Sequence, residues 1–481
     1  MEALESHGCR KEGLMIPARR LQLSFADGFI TEQVDDLWEP WMRHADQALN
    51  DDRLLEILQT AWNTLCKKSK TRGRPGTPAE IILRLLLLKH IRDWSYEELA
   101  REVRANLVYR EFTRIGGGKV PDDKSISRFG RQLGPEVVEQ LHERIVNIAR
   151  ETHVVQGRKL RVDTTVVETN IHYPTDSTLL NDGVRVLTRV MKKVTAVASN
   201  AGAGLRDRTR SVKRRLLEIV RASRDRSEKG QEKLKTAYRR LLSSVTRVVG
   251  QAKRFSSEIA SRIKRGNRAV LRKARRQLDE MIPRVQQVIR QTRQRIMGGD
   301  TRAEGKIVSL FEPQTEVIRK GKAGKPTEFG KLVKIQEAEN QIVTHYSVFD
   351  VRPSDSELFI PSLEQHQLLF GHVPTMAAAD AGFFSAANEA KAEEMGVKWV
   401  AVPSQSTKST QRKERQKKRW FKEAMRWRTG CEGRISVLKR RHGLNRSRYK
   451  GTGGMKRWVG LGVIADNLIN ISRAMNASIE S

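Results

Sequence analysis

The chain has 481 residues, with 91 Lys and Arg against 56 Asp and Glu, a formal charge of +35 and 38% hydrophobic content. That length and apolar content support a sizeable core in two or three domains, and the charge favours polyanionic partners held in a salt-sensitive way. No run approaches the roughly 18 apolar residues of a membrane helix, and the first residues lack a basic stretch followed by an apolar one. Cys9, Cys66 and Cys431 are widely separated without metal-ligand spacing, so the expectation is a protein of the reducing cytoplasm, not exported and without structural zinc.

In chain order, residues 1–74 read as a helical segment and a basic linker. Leu37, Trp38, Trp41, Leu54, Ile57 and Leu58 form an amphipathic patch suited to packing, and KKSKTRGRPGTP at 67–78 is the linker. Residues 75–150 read as short helices, PAEIILRLLLLKHIRDW, SYEELAREVRANLVYREF and DKSISRFGRQLG, with Ser95 and Glu98 forming a capping box. Such a series is either a helix-turn-helix-like DNA-binding region, with Lys124, Ser127, Arg128 and Arg131 on an exposed face of its last helix, or a cover over the core.

Residues 151–184 carry a strand marked by Leu160, Val162, Thr164 and Val166, with Asp163 inside it. Aspartate is depleted in strands and costly to bury alone, so Asp163 needs a metal ion or a structural partner. Residues 185–299 form a basic module, in which Arg185 to Met297 hold 33 Lys and Arg against 8 Asp and Glu. Apolar residues there recur at helical spacing, as in Leu234, Tyr238, Leu241, Leu242 and Val245, which predicts long amphipathic helices, with an antiparallel hairpin as one arrangement. The module is read as a helical insertion that clamps DNA through Arg206, Arg208, Arg210, Lys213, Arg214 and Arg215, or else as a solvated coiled-coil face or dimer contact. SNAGAG at 199–204 marks a break within it.

Residues 300–455 return to strands, KIVSLFEPQTEVIRKGK and LVKIQEAENQIVTHYSVFDV, and then to a strand-turn-helix-strand pattern with Asp380 at the first strand's end and a helix over 383–395. Open α/β sheets bind ligands at that end of their strands, although Asp380 could also cap the helix. Asp350 ranks below it because Pro353 and a polar loop follow. Residues 404–419 read as a basic flexible loop, and residues 456–481 as a core-packing helix. Over 427–444, spacings of four and seven put Arg428, Glu432 and Lys439 within roughly 40° on one helical stripe. A carboxylate flanked by cations suits a metal beside phosphate, or an ion-pair ladder on a solvated helix. The histidines show no metal-ligand spacing; His442 alone is a candidate for phosphate contact.

Asp163, Asp380 and Glu432, in that order, resemble the catalytic residues of the DDE transposases of bacterial insertion sequences. The resemblance covers most of residues 75–475. The helix signature Tyr, two residues, Arg, three residues, Glu, six residues, Lys is matched by Arg428, Glu432 and Lys439, with Met425 where Tyr would stand; HYPTDSTLLNDGVRVL and LKRRHGLNRSRYKGTGG also look like this family. The resemblance implies an α/β fold: an RNase H-like mixed-sheet catalytic core interrupted by the long basic helical insertion, with an all-helical N-terminal DNA-binding region. It implies metal-dependent cleavage and strand transfer at terminal inverted repeats, with Asp163, Asp380 and Glu432 holding two Mg²⁺ ions that Mn²⁺ can replace. Double-stranded DNA would contact Arg428, Lys439, Arg440, Arg441, Lys124, Arg128, Arg131, Arg210, Lys213, Arg214 and Arg215. A homodimer would form in the synaptic complex, nucleoid-associated when bound. A nuclease of the same fold without strand transfer, or a nonenzymatic DNA-binding descendant, are the alternatives.

Overall fold

A computed structural model describes residues 17–20, 25–65, 76–197, 205–262, 268–301, 304–319, 327–404 and 407–479. The linker core at 66–75, the SNAGAG break, Cys9 and Cys66 lie outside the described residues. Two compact units result, Met1–Asn170 with Lys331–Ser481, and Ile171–Gly330. Among the described residues no helix is long and apolar enough to cross a membrane.

The first unit opens with eight helices: α1 (Phe25–Val34), α2 (Met42–Leu49), α3 (Asp52–Leu65), α4 (Ala79–Ile91), α5 (Tyr96–Ala105), α6 (Leu107–Phe112), α7 (Asp123–Gln132) and α8 (Pro135–Glu151). Every residue of α4 is buried, as its nearly continuous apolar sequence requires of a central helix. Leu54, Leu58, Trp62, Leu86 and Phe129 meet Leu461 and Leu468 of the C-terminal helix in one core. From the expected N-terminal patch, Leu54 and Leu58 are buried while Leu37 stays exposed. The capping box at Ser95 and Glu98 starts α5.

The sheet follows. Strand β1 (Lys159–Glu168) leads into the second unit through α9 (Asp176–Val197), α10 (Thr209–Ala222), α11 (Glu228–Arg262) and α12 (Arg268–Gly298). The chain then forms β2 (Glu316–Arg319), β3 (Thr327–Glu337), β4 (Val343–Val348), α13 (Phe359–Phe370), β5 (Met376–Ala379), α14 (Ala386–Glu394), β6 (Trp399–Ala401), α15 (Thr410–Lys417), α16 (Arg419–Arg441) and α17 (Gly451–Ile479). In the first unit the strands lie in the order β4-β3-β1-β5-β6. β1, β5 and β6 are parallel, and β4 is antiparallel to β3. The fold is thus mixed α/β and mostly helical. Leu160 and Val162 pack with Leu358, Phe359 and Leu363 around α13, whereas α16 packs on β1, β5 and β6. Alternation along β1 therefore turns Arg161 and Asp163 toward α16.

The second unit is a helical bundle in which α9 packs on α10, α11 and α12. It reaches from Ile171 to Gly330, wider than the expected 185–299, because α9 begins at Asp176 and a β2–β3 hairpin pairs Glu316 with Gly330. Its apolar stripes are used inside the bundle: Leu187, Leu241, Val245, Leu278 and Val285 share one core. Leu241 and Val245 are fully buried, so the dimer face that the stripe could have supplied is absorbed by neighbouring helices of the same chain.

Two local expectations are corrected. Among the described residues of KIVSLFEPQTEVIRKGK, only Glu316–Arg319 is strand; Val308 and Leu310 are buried from irregular backbone. Within the stretch 404–419 expected as a basic loop, Thr410–Lys417 forms α15 and Arg419 begins α16. There Ser409 caps the helix, and Arg412 and Arg415 pair with Glu389 of α14.

Candidate active site

Three elements deliver the carboxylates. In the β1–β5 register Val162 stands opposite Ala379, so Asp163 and Asp380 come next on neighbouring parallel strands, about 5 Å apart in the pairing direction. Asp380 closes a turn by accepting from the Gly382 N–H at 2.8 Å, the short 3₁₀ turn Ala381–Phe383 preceding α14. That helix runs from Ala386 and is capped by Ser385, so it starts later than the expected 383. Glu432 comes from α16, whose Arg428 donates to it at 2.7 Å. The same guanidinium stands 3.7 Å from the Asp163 carboxylate, a charge contact rather than a hydrogen bond.

Burial pushes Asp163 up to about 6, and the negative charges of Asp380 and Glu432 add to the rise. The Thr164 N–H, donating at 2.7 Å, and the charge of Arg428 act in the opposite sense. Like charges gathered at one place produce such a shift when no cation neutralises them. Arg428 supplies part of that neutralisation, and its buried Nε and Nη1 have no hydrogen-bond partner. As the side chains stand, no three His, Cys, Asp or Glu groups among the described residues are close enough together to hold a metal ion. The three carboxylates offer only oxygen donors, which suit a hard divalent cation, and Glu432 is paired with Arg428.

The remaining residues fall into separate groups. Lys439 is half-buried on the Glu432 stripe, while Arg440 and Arg441 are exposed in the last turn of α16. Lys124, Arg128 and Arg131 are exposed along α7, with Ser127 partly covered. On α10, Arg210, Lys213 and Arg214 are exposed, but Arg215 pairs with Glu218 at 2.7 Å. Met425 packs against the cluster of Met376, Ala378, Ala401 and Phe421. His442 is corrected as a phosphate contact: it is buried, bonds through Nδ1 to the His90 carbonyl and lies 3.4 Å from Asp466. Asp350 lies on the surface, 3.8 Å from Lys456.

Sequence reasoning missed Asp355 and Arg161. Asp355 accepts from the Thr164 hydroxyl at 3.1 Å, and a Cβ on Gly382 would meet both Asp380 Oδ1 at 3.1 Å and Asp355 Oδ2 at 3.2 Å. The signal was the second capping box, Ser354 with Glu357, which marks an ordered turn in what reads as a polar loop. Arg161 pairs with Glu337 in the interior. Its signal was its spacing, two residues from Asp163 on the same face of a strand.

Residues 42–132 match the family described as a transposase domain, DUF772, and residues 304–468 match the transposase DDE domain. These matches bear out the resemblance to a DDE transposase of an insertion sequence. Asp380 and Glu432 fall within the second match, and Asp163 precedes it across the helical unit. A Rhizobium meliloti protein described as uncharacterized protein ORF8 in nfe locus is 31% identical over 127 residues, 25% of this chain and 61% of that protein. The chain thus spans less than two thirds of that relative. No solved structure matches.

Proposed function

We propose that this chain is a transposase that cleaves DNA and transfers strands at the terminal inverted repeats of an insertion sequence, through an RNase H-like core. The observation that carries the proposal is the Arg428 guanidinium between Asp163 of β1 and Glu432 of α16, with Asp380 beside Asp163 on the next strand. Carboxylates 217 and 52 residues apart in sequence, at 163, 380 and 432, gain nothing structurally from such mutual repulsion; hard-cation binding gives it a purpose. Two divalent cations, Mg²⁺ with Mn²⁺ as substitute, supply Lewis acidity for in-line phosphodiester hydrolysis and transesterification when held by Asp163, Asp380 and Glu432.

The chain's own residues do the rest. Asp163, pushed up to about 6, is mostly ionised at neutral pH and holds its proton below about 6. Arg428 and Lys439 neutralise the phosphates beside the carboxylates, and Arg440 and Arg441 extend that charge. Lys124, Arg128 and Arg131 of α7 and Arg210, Lys213 and Arg214 of α10 hold DNA by its backbone, whereas Arg215 is engaged with Glu218. Two ends brought together call for a homodimer. The proposal is tested with labelled inverted-repeat DNA, Mg²⁺ and a target duplex. Joined products are expected, and their loss in EDTA; cleavage without joining would make the chain a nuclease, and binding alone a nonenzymatic DNA-binding protein.

A further inference from the structure

We infer that Arg161 is a positioning residue that fixes the height of α16 above β1, and thereby where Arg428 and Glu432 meet Asp163. The inference rests on the site proposed above. Arg161 is buried two residues before Asp163 on the same face of β1. Its Nη2 pairs with Glu337 of β3 and its Nη1 donates to the main-chain carbonyl of Trp427 on α16. The guanidinium also lies over the Trp427 ring, 4.7 Å from the centroid. One side chain therefore ties two neighbouring strands to the helix, at the residue immediately before Arg428 and five before Glu432.

The helix is shaped to receive it. Gly430 is exposed in mid-helix, where glycine is unfavourable relative to alanine. A Cβ there would overlap Arg161 Nη1 and stand 2.9 Å from its Cζ. Any larger residue at 430 would have to lift α16 or expel the guanidinium. Expulsion would leave Glu337, which is wholly buried, without its cation. Cys431, also buried, sits in the field of Glu337, Asp163, Arg161 and Arg428, so it reports the closeness of α16 to the sheet.

Two variants test the inference. Arg161→Lys keeps a cation for Glu337 but cannot also hold the Trp427 carbonyl, and Gly430→Ala improves helix propensity while displacing the guanidinium. Both are made in a background with Cys9 and Cys66 changed to Ser. Three quantities are read: Mn²⁺ affinity from the free-ion paramagnetic resonance signal, the kcat and KM for DNA cleavage, and the rate at which Cys431 reacts with a thiol reagent. The expected result is Mn²⁺ affinity weaker by about tenfold or more, lower kcat at unchanged KM for DNA, and faster labelling of Cys431. Wild-type Mn²⁺ affinity and Cys431 protection in Gly430→Ala would overturn the inference, even if Arg161→Lys failed to fold. If the unsubstituted site bound Mn²⁺ no better than Asp163→Asn, the metal reading would fail instead, and Cys431 labelling alone would decide for or against the brace.

Discussion

Arg428 donates to Glu432 across 2.7 Å, one helical turn apart on α16, while its other amino group faces Asp163 at 3.7 Å. In the proposed site the guanidinium would occupy the electrostatic position of a metal ion, so that the two cations would compete. Arg428→Gln should tighten Mn²⁺ binding, because Glu432 is released and Asp163 loses a neutralising charge. Cleavage should nevertheless fall by about 10²-fold, the usual loss when one charge-stabilising donor is removed. A titration that showed unchanged or weaker Mn²⁺ binding would contradict the competition.

The Asp163 carboxyl makes the metal-free fold sensitive to pH. Its folded pKa, about 6, lies above the ordinary value, so the protonated form is favoured by folding. The associated stability is present in acid and is lost as pH rises through about 6. Asp163→Asn should therefore raise the melting temperature of the metal-free protein at pH 8. The upper bound is about 3 kcal/mol, the free energy of raising a carboxyl pKa from its ordinary value to that of Asp163. At pH 4 the substitution should leave the melting temperature little changed. The same variant, like Asp380→Asn and Glu432→Gln, should abolish cleavage while DNA still shifts in a gel. Equal melting of Asp163→Asn and wild type at pH 8 would count against the burial and the neighbouring carboxylates that raise this carboxyl.

Lys89 on α4 is buried without a hydrogen-bond partner, surrounded by the rings of Trp458, Tyr96 and Tyr449 at 4.5, 5.1 and 5.8 Å. Burial, aided by the charge of Arg448 and opposed by Asp93 and Glu98, lowers its pKa to about 7. Between pH 7 and the ordinary lysine value the unfolded chain binds the additional proton, so this group makes stability rise with pH across that window. Ring contacts offset part of the cost below it. Lys89→Met should stabilise the protein at pH 6 and progressively less toward pH 10, which thermal melts at the two pH values would measure. A constant difference would mean that Lys89 stays charged or neutral throughout.

On α10, the exposed Arg210, Lys213 and Arg214 are the residues to change, since Arg215 is engaged with Glu218. Replacing the three with Gln should weaken DNA binding for all sequences alike and flatten the log-log salt dependence by about 0.9 for each phosphate that is no longer neutralised. An unchanged slope would remove α10 from the DNA surface.

Leu241→Asp or Val245→Asp introduces a charge into the bundle core, where both residues are fully buried. The expected cost is about 3 to 5 kcal/mol, loss of helicity in the second unit being the readout by circular dichroism. A folded chain of altered sedimentation mass would instead return this stripe to the role of a dimer contact.

Periodicity and propensity made several features legible without coordinates. The stripe of Arg428, Glu432 and Lys439 lies on α16 as its spacing required, Asp163 is a buried strand residue, Ser95 caps α5, and the basic excess falls on amphipathic helices. Each is local, because helix and strand repeats determine which side chains share a face within one element. Partnership across elements was not encoded that way. The contact of Arg161 with Glu337 joins residues 176 apart and that of Thr164 with Asp355 joins residues 191 apart. His442 looked available beside Arg440 and Arg441 until helix packing buried it against Asp466. The apolar stripe of α11 could equally have met another chain. Only the folded chain decided these, because burial and ion pairing depend on which elements pack together, and that choice is made by the whole core rather than by any segment's own pattern.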